Sequence, residues 1–244
     1  MKIEFAGMTQ KGGRPINEDS YIMLNSGNNY CFAVADGLGG HGKGDIASST
    51  AAETVEKIFN AKSGTQADKL NIYFEESQRA VLQKQKETNS IGAMKTTLSV
   101  LSIEDGWALW GHIGDSRIYC FRNHRFFWRT LDHSVPQMLV AIGEIKEKDI
   151  RHHEDRNRLL KVIGTEWEKP EYEIAQKPFR PRPNDKFLLC SDGFWENIED
   201  SEMIDCSRKA KNATEWLNEM KKVVIAKGRG KENDNFTAIT VWFK

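Results

Sequence analysis

Four aspartates, each beside a glycine or an asparagine and each at one end of an apolar, strand-like run, constrain this 244-residue chain more than any other feature. Tyr30 to Ala35 runs into Asp36-Gly37, and Trp107 to Trp110 leads to Gly114-Asp115. Phe187 to Cys190 runs into Ser191-Asp192-Gly193, and Asp234-Asn235 opens the last apolar run. Carboxylates at the mouths of strands, spread over the whole sequence, are what a fold needs to gather hard-metal ligands from separate elements onto one rigid rim. The pattern points to a metal-dependent hydrolase.

The periodicities surrounding these points describe an α+β chain. Lys2 to Thr9 alternates polar and apolar residues, and Ser20 to Leu24 is a second strand-like piece before the run that ends in Asp36. Ile46, Ala47, Thr50, Ala51, Thr54, Val55 and Ile58 fall at helical spacing, as do Leu70, Phe74, Ala80 and Val81. Strands are expected over 96–103, 107–113, 117–121 and 125–130, and their short connections argue an antiparallel meander. Residues 132–170 break that pattern with a short helix near Pro136 to Ile142, followed by a charged, mobile insertion. Strand character returns at 172–175 and 186–190, a helix is expected over 212–226, and Phe236 to Phe243 closes the chain. Strands in two groups, with helices between and after them, make a layered sandwich in one domain, since no Pro/Ser-rich linker or fixed-period repeat interrupts the chain.

Composition removes other classes. Lys+Arg and Asp+Glu balance at 35 each, so no net field favours nucleic acid or an anionic membrane. No stretch has the apolar length of a membrane span, and the N-terminus lacks a signal-peptide core. The four cysteines show no Cys-x-x-Cys spacing, and three lie within apolar runs, which suits reduced structural thiols in a cytoplasmic protein. Trp107, Trp110, Trp128, Trp195, Trp216 and Trp242 read as core, with Trp195 close enough to Asp192 to line a site.

Six segments, in order, resemble the motif set of the metal-dependent PP2C-type Ser/Thr phosphatases. They are Arg14-Pro15-Ile16-Asn17-Glu18-Asp19-Ser20, Ala35-Asp36-Gly37-Leu38-Gly39-Gly40-His41, Gly114-Asp115-Ser116-Arg117, Asp132-His133-Ser134, Ser191-Asp192-Gly193 and Asp234-Asn235-Phe236-Thr237. Any one alone would be a weak signal; six in family order cover nearly the whole chain. The resemblance implies a four-layer αββα sandwich of two antiparallel sheets flanked by helices, one such domain over 1–244, with a flap-like insertion around 132–170.

The resemblance also implies two divalent ions, Mn or Mg, with a hydroxide between them that attacks phosphorus. Asp36 would bridge the ions, Asp192 and Asp234 would complete one site, and Glu18 with the Gly37 carbonyl would hold the other. Glu18 and Asp19 point to opposite sides of an extended segment, so Asp19 is assigned to a metal-bound water. Arg14 offers a planar fork matched to phosphate oxygens and is the expected phosphate clamp. Asp115 matches a position where bacterial relatives hold a third, weaker ion; the alternative is a turn aspartate that caps the backbone. Where animal members have a histidine directly after the Asp-Gly pair, this chain has Leu38, which cannot donate a proton, so another group, such as a metal-bound water, must protonate the leaving oxygen. His41 in the glycine run reads as a bystander, His133 as structural, and His152 and His153 as a solvated surface. The glycines at 37, 39, 40, 42 and 44 lack the Lys-Ser/Thr ending of a nucleotide P-loop.

The expected substrates are proteins phosphorylated on serine or threonine, and the expected partner is a eukaryotic-like Ser/Thr kinase; a monomer with no nucleic-acid or membrane partner is expected. No appended kinase, sensor or membrane segment is present, so the chain reads as a stand-alone catalytic domain or a piece of something longer, of bacterial type. A pseudophosphatase that only binds a kinase or phosphoprotein is the alternative, disfavoured because Glu18, Asp36, Asp192 and Asp234 are all retained.

Overall fold

Residues 1–38, 43–61, 64–228 and 233–244 are described by the computed structural model. The glycine run's Gly39, Gly40, His41 and Gly42 lie outside these residues, so the bystander reading of His41 concerns a position not described.

Among the described residues the strands are β1 (Ile3–Gln10), β2 (Asp19–Ser26), β3 (Asn29–Leu38), β4 (Lys95–Thr96), β5 (Leu98–Glu104), β6 (Trp107–Ile113), β7 (Arg117–Arg122), β8 (Arg125–Arg129), β9 (Glu173–Ile174), β10 (Lys186–Cys190) and β11 (Phe236–Phe243). The helices are α1 (Gly44–Ala61), α2 (Gln66–Glu87), α3 (Val135–Ala141), α4 (Asp192–Trp195), α5 (Asp200–Lys209) and α6 (Ala213–Gly228). One sheet has the order β1-β11-β10-β7-β8 and the other β2-β3-β5-β6-β9, with β4 attached to the end of β3. Every pairing is antiparallel.

The four layers follow from side-chain alternation in strands that are apolar on both faces. In β3, Phe32 and Val34 face the other sheet, where they join Leu101, Ile118, Phe187, Leu189, Ile239 and Val241. Cys31, Ala33 and Ala35 point the opposite way, onto Ala47, Val55, Leu70, Tyr73 and Phe74 of α1 and α2. β10 divides likewise, with Leu188 and Cys190 turned to a third cluster that contains Met203, Trp216, Leu217, Met220 and Val224 of α5 and α6. The αββα sandwich expected from the sequence is the fold observed.

Two expectations fail. β5–β6 and β7–β8 are hairpins, but β6 and β7 do not pair: the Gly114-Asp115-Ser116 connection carries the chain from one sheet to the other, so the four strands are not one meander. Gly114 makes this step with φ +96°, and a Cβ there would lie 2.5 Å from Thr97 Cγ2. Trp107 is 42% exposed at the start of β6 and is not core.

The 132–170 segment contains α3 and a 3-10 turn over Glu147–His152, and is tied down by backbone hydrogen bonds. Val135 N–H donates to Arg158 O at 2.9 Å, Leu160 N–H to His133 O at 2.8 Å, and Ile163 pairs with Thr96 in both directions. Arg117 on β7 grips Asp132 through Nε and Nη2 at 2.8 and 2.6 Å, with both side chains buried. The four cysteines are free and buried, and no helix among the described residues is long and apolar enough to cross a membrane.

Candidate active site

The two sheets bring the carboxylates together at one end of the sandwich. Arg14, Glu18, Asp36, Gly37, Asp115, Asp192 and Asp234 all line a single cavity of about 570 Å³. Asp36 comes from the end of β3, Asp115 from the step between sheets, Asp192 from the start of α4 and Asp234 from the approach to β11.

Asp36 is held by its backbone, and its carboxyl meets that of Asp192. Thr97 Oγ1 accepts from Asp36 N–H at 3.0 Å, while Thr97 N–H and Thr96 Oγ1 both donate to Asp36 O at 2.9 Å. Thr97 Oγ1 also meets Ser116 Oγ at 2.7 Å, so one threonine couples Asp36 to the turn that carries Asp115. Among the described residues only burial and neighbouring charges act on the Asp115 carboxylate, with no hydrogen bond to it, which is not how an aspartate recruited to cap a turn behaves. Its main-chain oxygen accepts from Trp195 Nε1 at 3.0 Å, and Arg117 stacks over that indole at 3.4 Å. Trp195, expected as a possible wall of the site, is 1% exposed and instead braces Asp115 from behind.

Glu18 is placed by contacts that the sequence reading assigned to no residue. Asn235 Oδ1 accepts from Glu18 N–H at 2.8 Å, and Asn235 Nδ2 donates to Lys11 O and Ile16 O, so this side chain staples the whole 11–18 loop to β11. Ser48 Oγ donates to Glu18 O at 2.5 Å, and Glu18 Oε1 accepts from Gly44 N–H at the start of α1 at 3.2 Å. The available signal was the asparagine directly after Asp234. Gly37 lies against this junction, where a Cβ would sit 2.2 Å from Gly44 O and 2.5 Å from Glu18 O.

Asp19 points away from Glu18, as expected for neighbours on a strand, and stands opposite Asp36 in the β2–β3 ladder. It is buried; Oδ2 accepts from Ser191 Oγ at 2.8 Å, and Oδ1 has no partner. Arg14 is not free: its Nε and Nη2 grip Asp234 at 3.0 and 2.7 Å, so clamp and proposed ligand satisfy each other.

The electrostatics are those of a crowded anionic pocket. Burial, then the neighbouring Asp192, drives the Asp36 carboxyl well above the usual carboxylate range. Burial, then Asp192, does the same to Asp115, and burial, then Asp234, raises Asp192. Burial pushes Asp19 up to about 7 against the hydrogen bonds from Thr237 and Ser191. Buried carboxylates this close must share a proton or a cation. The donors are carboxylates and main-chain carbonyls, with no cysteine or histidine among the described residues of the cavity's walls, which fits hard divalent ions such as Mg or Mn.

A tighter triad lies elsewhere: potential ligand atoms of His112, His133 and Glu173 are within 4.8 Å of one another. It is a poor cation site. The rings stack at 4.7 Å and 15°, so one ion cannot lie in both ring planes. His133 Nδ1 accepts from Gly114 N–H at 3.2 Å, which puts the proton of the neutral ring on Nε2, facing Glu173. His112 is tied through Nε2 to Leu131 O at 2.7 Å. This pair ties the 132–134 segment to the β6–β7 step, in keeping with the structural reading of His133.

Residues 9–227 match the family described as Protein phosphatase 2C. The serine/threonine phosphatase stp of Listeria monocytogenes is 31% identical over 234 residues, which covers 92% of this chain and 89% of that protein. In fold, the chain is similar to the serine/threonine phosphatase Stp1 of Staphylococcus aureus, with a TM-score of 0.88 at 24% identity over 100% of this chain and 96% of the other. The catalytic domain of the serine threonine protein phosphatase PstP, solved with two manganese ions, gives a TM-score of 0.82 at 23% identity over 98% and 97% of the two chains. With a sandwich of this topology, a ring of carboxylates at its end and a match over most of its length, the chain belongs to the protein phosphatase 2C family of metal-dependent protein serine/threonine phosphatases.

Proposed function

We propose that the chain hydrolyses phosphoserine and phosphothreonine in proteins, with Mn or Mg, and opposes a eukaryotic-like Ser/Thr kinase. The observation that carries this reading is the convergence of Glu18, Asp36, Asp115, Asp192 and Asp234, with Arg14, on one cavity from five separate stretches of the chain. Asp36 would bridge two ions, Asp192 and Asp234 would complete one site, and Glu18 with Gly37 O would hold the other. Asp115, whose carboxylate is otherwise unengaged, would serve a third. When bound, the ions supply a nucleophilic hydroxide at neutral pH and offset the charge of the phosphoryl group.

The chain's own residues do the rest. Asp19, with one carboxylate oxygen unpartnered, orders water at the back of the site. Arg14 carries a guanidinium fork to the cavity mouth; an incoming phosphate competes for it with Asp234, whose carboxylate is then released toward a cation. Residues 1–244 act as one domain, a monomer in this reading, with 132–170 as a flap contributing Asn157 and Leu159 to the cavity wall.

Phosphate release from a phosphothreonine peptide tests the proposal. Turnover with added Mn, abolished by EDTA and by Asp36→Asn in a folded protein, is the expected result. No turnover from folded wild-type protein with any divalent ion would overturn it in favour of a phosphoprotein-binding module.

A further inference from the structure

One wall of the catalytic cavity carries a cation that the site as described does not use. Lys95 lines the cavity together with Gly92 and Ala93. In the short β3–β4 ladder it stands directly opposite Leu38, which lines the same cavity. Opposed residues of an antiparallel pair project from the same side. The structure therefore sets a lysine beside the position where leucine has no proton to give.

This placement is firm. Thr96 and Thr97, the next two residues, hold the backbone oxygen of Asp36, and Thr96 is bridged in both directions to Ile163. Lys95 is thus registered against the backbone of the central aspartate through a short, hydrogen-bonded strand. Among the described residues, Lys95 forms no ion pair, whereas Arg14, the other cationic side chain on the cavity wall, is taken up by Asp234.

We propose that Lys95 is the proton donor to the leaving seryl or threonyl oxygen. As the bond from a water-derived oxygen to phosphorus forms, the bond from phosphorus to the side-chain oxygen breaks, and a proton passes from Lys95 Nζ to that oxygen. The neutral amine regains a proton from the one the attacking water released, so phosphomonoester and water become alcohol and hydrogenphosphate. Lysine carries its donor at the end of a flexible stem, and Lys95 starts that stem from the cavity wall, while arginine in its place holds its proton too tightly to exchange it.

The inference rests on the phosphatase reading, and leaving-group dependence separates the two. An alkoxide needs a proton to leave; 4-nitrophenolate does not. Lys95→Met is expected to lower kcat on a phosphothreonine peptide by about 100-fold and on 4-nitrophenyl phosphate by less than about threefold, with KM for the peptide little changed. Lys95→Arg, which keeps the charge, should fail to restore the peptide rate. An equal loss on both substrates, recovery by arginine, or a loss confined to KM would overturn the assignment. The thermal shift on adding Mn should match wild type in both variants, which separates a catalytic defect from a misfolded or metal-free site. Wild-type protein inactive on both substrates would instead refute the phosphatase reading itself, and the donor role with it.

Discussion

Gly37 illustrates how closely the site is built at the level of single residues. Its absent side chain is where the end of β3, the start of α1 and the Glu18 backbone meet, and an added Cβ would collide with two main-chain oxygens that cannot rotate away. Gly37→Ala is therefore expected to push Glu18 and Gly44 outward and weaken divalent-ion binding by about 10- to 100-fold, the range for disturbed supporting groups at metal sites. Isothermal titration with Mn measures this, with circular dichroism confirming the sheets are intact. Asn235, by contrast, acts through hydrogen bonds: three contacts from one amide hold the loop that carries Arg14 and Glu18. Its motif position marked it as noteworthy, but nothing along the chain shows that its partners are Lys11, Ile16 and Glu18.

At the scale of elements, the connection between β6 and β7 matters most. A three-residue link between two strands reads as a hairpin, yet here it crosses between sheets and delivers Asp115 to the cavity. The pairing partner of a strand is settled by which neighbour buries its faces, and Ile118 and Cys120 find theirs between the sheets. α5 was not expected because its Asp200–Lys209 sequence is mostly polar. Its weak signals were Met203 and Cys206 at a three-residue spacing, and Glu202 accepting from Glu199 N–H at 2.8 Å at its start. The 132–170 segment depends on the Arg117–Asp132 pair, buried on both sides. Asp132→Ala strands Arg117 as an uncompensated buried charge and is expected to cost about 3–5 kcal/mol of stability, read as a lower urea midpoint.

For the whole molecule, the active end is a place of stored repulsion. Without cations, the clustered carboxylates oppose folding, since burial and mutual proximity raise Asp36, Asp115 and Asp192 above their ordinary range. Metal-free Asp36→Asn should accordingly melt higher than metal-free wild type, by roughly 2–4 °C for each kcal/mol of repulsion relieved. Adding Mn should reverse the order, because at about 100 times its dissociation constant an ion contributes about 2.7 kcal/mol to the protein that binds it. Calorimetry of the two proteins with EDTA and with Mn checks both halves.

The stacked histidines set a second dependence. Burial, then His112, lowers His133 to about 4, and burial lowers His112. A folded-state value below the unfolded one, near 6.5, means that the unfolded chain takes up the proton first as pH falls. This contribution to stability is complete above about pH 6.5 and drains away as pH falls toward 4. His133→Asn, which keeps an acceptor for Gly114 N–H, should show a shallower fall in melting temperature over that window.

The sequence alone was enough to determine the layered α+β class, the positions of most strands and helices, and which carboxylates meet at the cavity, because apolar period and motif order are written locally. Even the opposite facing of Glu18 and Asp19 follows from the pleat of an extended chain. Which sheet each strand joins, the crossing at Gly114, the bracing of Asp115 by Trp195, and the capture of Arg14 by Asp234 were decided only by the tertiary structure. These depend on contacts between residues as far apart as Arg14 and Asp234, and such contacts are chosen by the burial of whole faces, a property that no single segment possesses.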